Sequence, residues 1–212
     1  MRGRPVLRTI SWKPWDPSLL RGLLLALFFL SGALAGHLFA AGCDQDALSR
    51  YLQDYCMVYD AGGASVSLLS CVTLYFGYVV GAFLLGFASV GAVLIPALSC
   101  GFGFFTMYTI SCFVRAYGRA GVLLAMAALV VRLLFTLPCF FAQAGVAWPL
   151  STDLALLVFG RGKRSAPVLY GSRYFLLFAL CVVVLTVGVC CERFLTPLLF
   201  RLALGGVYGN VS

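Results

Sequence analysis

The sequence predicts an all-α integral membrane bundle with about five transmembrane helices in a single membrane domain, residues 1–212. Two features of composition indicate this class: 62% of the residues are hydrophobic and only 10% are charged. A soluble globular domain carries roughly 25% charged residues to cover its surface. The third feature is the length of the apolar runs, because one helical crossing takes about 20 residues. The chain has room for five or six crossings.

Positive charge indicates the orientation. The net charge is +8, and Lys and Arg are concentrated in residues 1–22 and 148–172. Such clusters mark the cytoplasmic side of membrane helices, so these segments are predicted to be a basic cytoplasmic lead-in and a basic cytoplasmic loop. The first helix, near 23–41, then crosses outward from a cytoplasmic N-terminus. This placement explains the charge without a nucleic-acid partner.

The gap that follows, residues 42–67, is predicted to be an acidic extracytoplasmic segment. It contains Cys43 and Cys56, which could pair on an oxidising side of the membrane, and this pairing is left open. Four carboxylates are candidate partner contacts: Asp44, Asp46, Asp54 and Asp60.

The second and third crossings are predicted near 68–88 and 93–113. The apolar stretch that contains them has no charged residue and is too long for one helix, while Gly91 and Pro96 weaken helical continuity in its middle. Three crossings between the acidic gap and the basic loop keep these segments on opposite sides of the membrane.

The last of these three crossings, which is the fourth helix of the chain, is predicted near 121–147. After the basic loop the fifth is predicted near 173–191, and the apolar tail, 192–212, is predicted to lie along the outer interface.

Arg132 interrupts the fourth run, "ALVVRLLFTLP". An arginine near mid-bilayer costs about 2.5–3.5 kcal/mol on insertion scales, so it should face protein or water. Helical spacing puts it on a small and polar stripe that we predict to face inward: Ala125, Ala128, Arg132, Thr136, Cys139 and Gln143. Its partner stays open between Glu192 and the carbonyls that Pro96 and Pro138 leave without a donor. Whether Arg132 pins helices together or lines a ligand or water path also stays open.

Two GxxxG spacings, Gly32 with Gly36 and Gly77 with Gly81, allow helix backbones to approach closely. We interpret them as packing within the chain, with homo-oligomer contact as the alternative. The apolar runs contain no paired carboxylates, no nucleophile with a histidine base, no phosphate loop and no metal cluster. We predict no catalytic residues, no cofactor and no metal, and therefore no enzyme.

The order and spacing of the runs resemble the stage II sporulation protein M family of polytopic bacterial membrane proteins. The residues that carry the resemblance are "FFLSGALAGHLFAAG", "LSRYLQDY", "FLLGFASVGAVLIPALSCGFGFFTMYTISCFVRAYGRAGVLLA" and "LLFTLPCFFAQA". One departure is the charge of Arg132, at a position where the family tends to have a neutral polar residue.

The resemblance implies a multi-pass scaffold of the bacterial cell membrane. Its implied partners are extracytoplasmic cell-wall hydrolases, an amidase and a lytic transglycosylase, during septal wall thinning and forespore engulfment. A permease-like subunit that works with a separate ATPase is the alternative, because the breaks near Pro96 and Pro138 are typical of helices that line transport sites.

Overall fold

The computed structural model describes residues 17–44, 50, 66–159 and 171–208 of the chain. The elements in this part are four α-helices: α1 (Pro17–Gly42), α2 (Val66–Leu85), α3 (Gly91–Val158) and α4 (Ser172–Tyr208). Long helices satisfy their backbone hydrogen bonds internally, as a membrane interior requires. The predicted fold class, an all-α polytopic membrane bundle, is confirmed.

Several predicted features lie outside the described residues. They are the lead-in as far as residue 16, three of the four candidate aspartates (Asp46, Asp54 and Asp60), Cys56, and the basic cluster at 161–164. The predictions made for them therefore stand as predictions.

Helix α3 consists of two limbs, because the chain reverses direction at Gly118. This residue has φ 58° and ψ −129°, and glycine adopts a positive φ without the steric cost that a Cβ imposes. Three residues later, Gly121 lies against the backbone of Phe113, where a Cβ would be 2.6 Å from the carbonyl carbon. The first limb, Gly91–Gly118, and the second limb, 119–158, therefore lie side by side and antiparallel.

Within the described residues, four helical segments are long and apolar enough to cross a membrane: Leu19–Gly42, Gly91–Gly118, Leu129–Val158 and Ser172–Glu192. Helix α2 is a fifth segment, and its described apolar part, Tyr75–Leu85, is shorter. The bundle thus has the approximate number of membrane segments that the sequence predicts.

Successive segments alternate in direction, so α1 runs parallel to the first limb of α3. The hydroxyl of Ser99 donates to the carbonyl of Leu25 over 3.0 Å, and further along both helices His37 Nδ1 lies 3.0 Å from Ser111 Oγ. We call the end of the bundle where α1 begins the proximal end and the end where α1 finishes the distal end. Apolar side chains from all five segments fill the core: Leu25, Tyr75, Val79, Ala82, Ile95, Phe102, Phe140, Ala144, Ala147, Tyr174 and Leu185.

Both the second limb of α3 and helix α4 are longer than predicted. The fourth helix was expected to end at 147, and the structure continues it through Pro149 to Val158. A proline removes only one backbone donor from a helix, and neighbouring helices in a membrane bundle compensate for that loss. Helix α4 continues past Glu192 to Tyr208, and Glu192 itself is buried within the bundle. The loop expected at 148–172 is correspondingly shorter.

Candidate functional site

Arg132 lies within the second limb and faces α2. The guanidinium carbon lies 5.8 Å from the centre of the Tyr75 ring on α2. This distance is within the range of a cation–π interaction. The charge therefore rests on an aromatic face near the middle of α2.

Thr136 and Gln143 are members of the polar stripe, and both side chains lie in the core of the bundle. Thr136 is 1% exposed and Gln143 is 0% exposed, whereas Leu134 on the opposite side is 68% exposed. The stripe thus faces the interior of the bundle.

Glu192, one of the candidate partners of Arg132, lies at the same level of the bundle. Helix α4 runs antiparallel to the second limb: Cys181 Sγ is 3.7 Å from the carbonyl oxygen of Cys139, and a Cβ at Gly188 would be 2.9 Å from the Cβ of Phe135. One further turn along each helix leads to Glu192 and Arg132. Glu192 is 4% exposed, so the two charges lie at one level of this helix pair, and Glu192 is in its interior.

The glycines of α1 form a close contact with the first limb. A Cβ at Gly32 would be 2.9 Å from Cys100 Cα, and one at Gly36 would be 3.0 Å from the carbonyl carbon of Phe104. Gly103 faces α1 in return, where a Cβ would be 2.9 Å from the carbonyl carbon of Phe29. These two helices approach closely because three glycines leave space for the facing backbone.

The GxxxG pair on α2 is different. No described atom lies within 4 Å of the position that a Cβ would take at Gly77. At Gly81 the nearest atom is Cδ2 of the Leu98 side chain, 3.3 Å away. Only Gly81 is therefore in contact with another helix, and neither glycine meets a facing backbone among the described residues.

Side chains from other helices donate to carbonyl groups at helix ends. At the distal end, Arg115 Nη1 donates to the carbonyls of Ala40 and Cys43, the latter over 3.2 Å. Ala40 is in the last turn of α1 and Cys43 directly follows it; the Ala40 carbonyl also accepts from the Cys43 N–H over 3.4 Å. Asp44, the one predicted partner contact among the described residues, follows directly and is exposed.

The proximal end has the same arrangement. Three donors converge on the turn between α2 and α3: Tyr174 Oη donates to the Phe83 carbonyl over 2.6 Å, Ser151 Oγ to the Ala88 carbonyl over 2.6 Å, and Trp148 Nε1 to the Ala92 carbonyl over 3.0 Å. The Ala92 carbonyl is the one that Pro96 leaves without a helical donor. Trp148, and not Arg132, is therefore its partner.

Comparison with known proteins decides the family. The protein-family model SpoIIM, described as Stage II sporulation protein M, matches residues 25–197. The chain belongs to the stage II sporulation protein M family. The match begins in α1, ends in α4 and includes every polar and glycine contact described above. No curated protein and no solved structure matches the chain.

Sequence reasoning missed several of the contacts that define this family member. Arg115 was given no role, although its position one turn before Gly118 places it beside the end of a parallel helix. Trp148 was assigned to the basic loop, 148–172. The available signal was Pro96, which requires a replacement donor from elsewhere in the bundle.

Proposed function

We propose that this stage II sporulation protein M family member is a membrane scaffold that positions extracytoplasmic peptidoglycan hydrolases during septal wall thinning and forespore engulfment. Membership of the family supports a sporulation membrane protein. An amidase and a lytic transglycosylase are the proposed partners. The proposed contribution of the chain is to position these hydrolases and not to catalyse a reaction itself.

The observation that carries the proposal is the contact of Arg115 with the end of α1. This guanidinium holds the carbonyls of Ala40 and Cys43, and the acidic segment begins at Asp44. Ordering a docking segment costs conformational entropy each time a partner binds. Fixing the starting point of the segment reduces this cost. Arg115 supplies that fixed point at the distal end, which we take to be extracytoplasmic.

Capture of the two hydrolases by the tagged full-length chain in native membranes tests the proposal. Wild type should recover both. Neutralising the acidic segment, with Asp44, Asp46, Asp54 and Asp60 each changed to Asn, should reduce recovery several-fold. Arg115→Gln should give a smaller loss, because the segment remains acidic and loses only its anchor.

Arg173→Gln is the matched control, since Arg173 is exposed near the proximal end. It removes one positive charge, as Arg115→Gln does, and should leave recovery unchanged. Failure of the wild-type chain to recover either hydrolase would count against the scaffold.

The permease-like alternative has one observation in its favour: the buried Thr136 and Gln143 place polar groups within the span. The breaks that first suggested it favour it less, because the Ala88 and Ala92 carbonyls are bound by Ser151 and Trp148 and are not free for a solute. Co-purification of an ATPase in place of wall hydrolases would support the permease.

A further inference from the structure

Thr136 and Gln143 lack the hydrogen-bond partners that other polar side chains in the spans possess. The hydroxyl of Thr136 and both the oxygen and nitrogen of the Gln143 amide are fully enclosed, and no described atom is hydrogen-bonded to them. The two residues are two helical turns apart on one face of the second limb. Buried polar groups in folded proteins almost always have a partner in protein or ordered water.

Other hydroxyls in the same bundle show the usual solutions. Thr106, Thr109 and Thr186 each donate over 2.8 Å to the carbonyl four residues earlier in their own helix. Ser99 and Ser151 donate to carbonyls of a neighbouring helix or turn. Thr136 does neither, so its hydroxyl is available for something other than the bundle backbone.

The surroundings of Gln143 are apolar, so leaving its amide without hydrogen-bond partners is unfavourable. Phe140, Ala144 and Ala147 on the same limb belong to the apolar core, and an amide buried in such surroundings without hydrogen bonds costs stability. The Gln143 amide therefore needs a partner that the described protein atoms do not supply.

We propose that the inner face of the second limb between Thr136 and Gln143 binds water. Neither side chain is accessible from outside the bundle, so the ligand must be small, neutral and able both to donate and to accept. Water meets all three conditions, and waters buried in proteins typically make about three hydrogen bonds to groups that are otherwise unsatisfied.

The bundle limits this site to water. Towards the proximal end, Phe83 stacks on Tyr174 with ring centres 5.1 Å apart and on Phe178 with centres 4.0 Å apart. Stacked rings close that side to solutes. Towards the distal end, half-buried Arg132 lies one turn from Thr136, and we assign exchange with bulk water to this end. The inferred site is a bound-water site and not a transport path, so it is separate from both functions considered above.

Radiolytic hydroxyl-radical labelling of the purified full-length protein in ¹⁸O-water tests the proposal, because bound water generates radicals beside the residues it contacts. Phe140 and Phe113 form a matched pair: both are on α3, and both are buried. Phe140 lies between Thr136 and Gln143, whereas Phe113 is in a separate apolar cluster. Phe140 should incorporate ¹⁸O several-fold faster than Phe113. Equal rates would overturn the proposal.

Two variants sharpen the result. Thr136→Val removes the hydroxyl with almost no change of shape, and Gln143→Leu removes the amide; together they should reduce labelling of Phe140 to the level of Phe113. Unchanged labelling in a folded double variant would overturn the proposal. A melting temperature raised by Gln143→Leu alone would also overturn it, because this would show that the amide is dry in the wild type.

Cys139 tests the restriction to water. It is buried on the same face, so a water-soluble methanethiosulfonate reagent, read by peptide mass mapping, should leave it unmodified while exposed Cys190 reacts. Rapid modification of Cys139 would contradict the water-only site and would instead indicate a path for solutes.

Discussion

The indole N–H of Trp148 donates a hydrogen bond to the carbonyl oxygen of Ala92, 3.0 Å away. Ala92 needs this donor because Pro96, four residues later, has no N–H to complete the helical ladder. A donor from the second limb thus replaces one that the first limb lacks. Because water is absent from a bilayer core, an unpaired carbonyl there is expensive, and this cross-limb bond holds the two limbs in register at the proximal end.

Trp148→Phe should therefore destabilise the bundle by about 1–3 kcal/mol, the cost of leaving a buried acceptor unsatisfied. The same substitution should cost less in a Pro96→Ala background, since the introduced alanine supplies the missing N–H to the Ala92 carbonyl. Unfolding of the purified protein in mixed micelles, measured as a double-mutant cycle, gives the coupling directly. Loss of ring packing affects both backgrounds equally, so additive effects would show that the hydrogen bond contributes nothing.

The glycines of α1 give a second prediction, with a control inside the chain. Gly32→Ala should destabilise the protein by about 1–3 kcal/mol, because overpacking forces backbone shifts, and the new Cβ would meet the Cys100 backbone. Gly77→Ala has open space and should be neutral or stabilising by up to about 1 kcal/mol, since alanine favours a helix over glycine.

Melting temperatures of the two variants in the same detergent check this prediction. Equal shifts for Gly32→Ala and Gly77→Ala would mean that helix propensity, and not the contact between α1 and α3, decides the outcome. A concentration-dependent shift confined to Gly77→Ala would instead point to homo-oligomer contact through α2.

Local sequence patterns predicted the helices well because hydrophobicity and helical period are local properties. Spacing alone put Thr136 and Gln143 on one face, and the burial of both agrees with that placement. Spacing did not give the end of the second limb, which continues to Val158. That end is set by contacts of Trp148 and Ser151 with a turn more than 50 residues earlier, and such distant contacts leave no periodic signal.

The depth of Arg132 leads to a third prediction. Arg132→Leu should insert at least as well as wild type and lose function. Its gain in insertion free energy should approach the roughly 2.5–3.5 kcal/mol of a central arginine, because Arg132 rests on the ring of Tyr75 near the middle of α2. Glycosylation mapping of the isolated second limb measures this value, and no gain for Arg132→Leu would place the arginine at a membrane boundary.

Tyr174→Phe gives the last prediction. This change keeps the ring that stacks on Phe83 and removes only the hydroxyl that donates to the Phe83 carbonyl over 2.6 Å. The carbonyl also accepts from the Gly86 N–H over 3.2 Å, so losing one of its two donors should cost about 0.5–1.5 kcal/mol. Tyr117→Phe, at a residue that is 53% exposed, is the matched control and should stay within about 0.5 kcal/mol of wild type.

A second change at the same contact, Gly86→Ala, distinguishes the contribution of the Tyr174 hydroxyl from that of its ring. A Cβ at Gly86 would be 3.1 Å from Tyr174 Cζ and closer still to its hydroxyl oxygen, so Gly86→Ala should be more disruptive in the wild type than in the Tyr174→Phe background. Favourable coupling in the unfolding free energies of the four proteins is the expected result. If Gly86→Ala costs the same in both backgrounds, the hydroxyl does not reach the end of α2, and the Gly86 N–H alone donates to the Phe83 carbonyl.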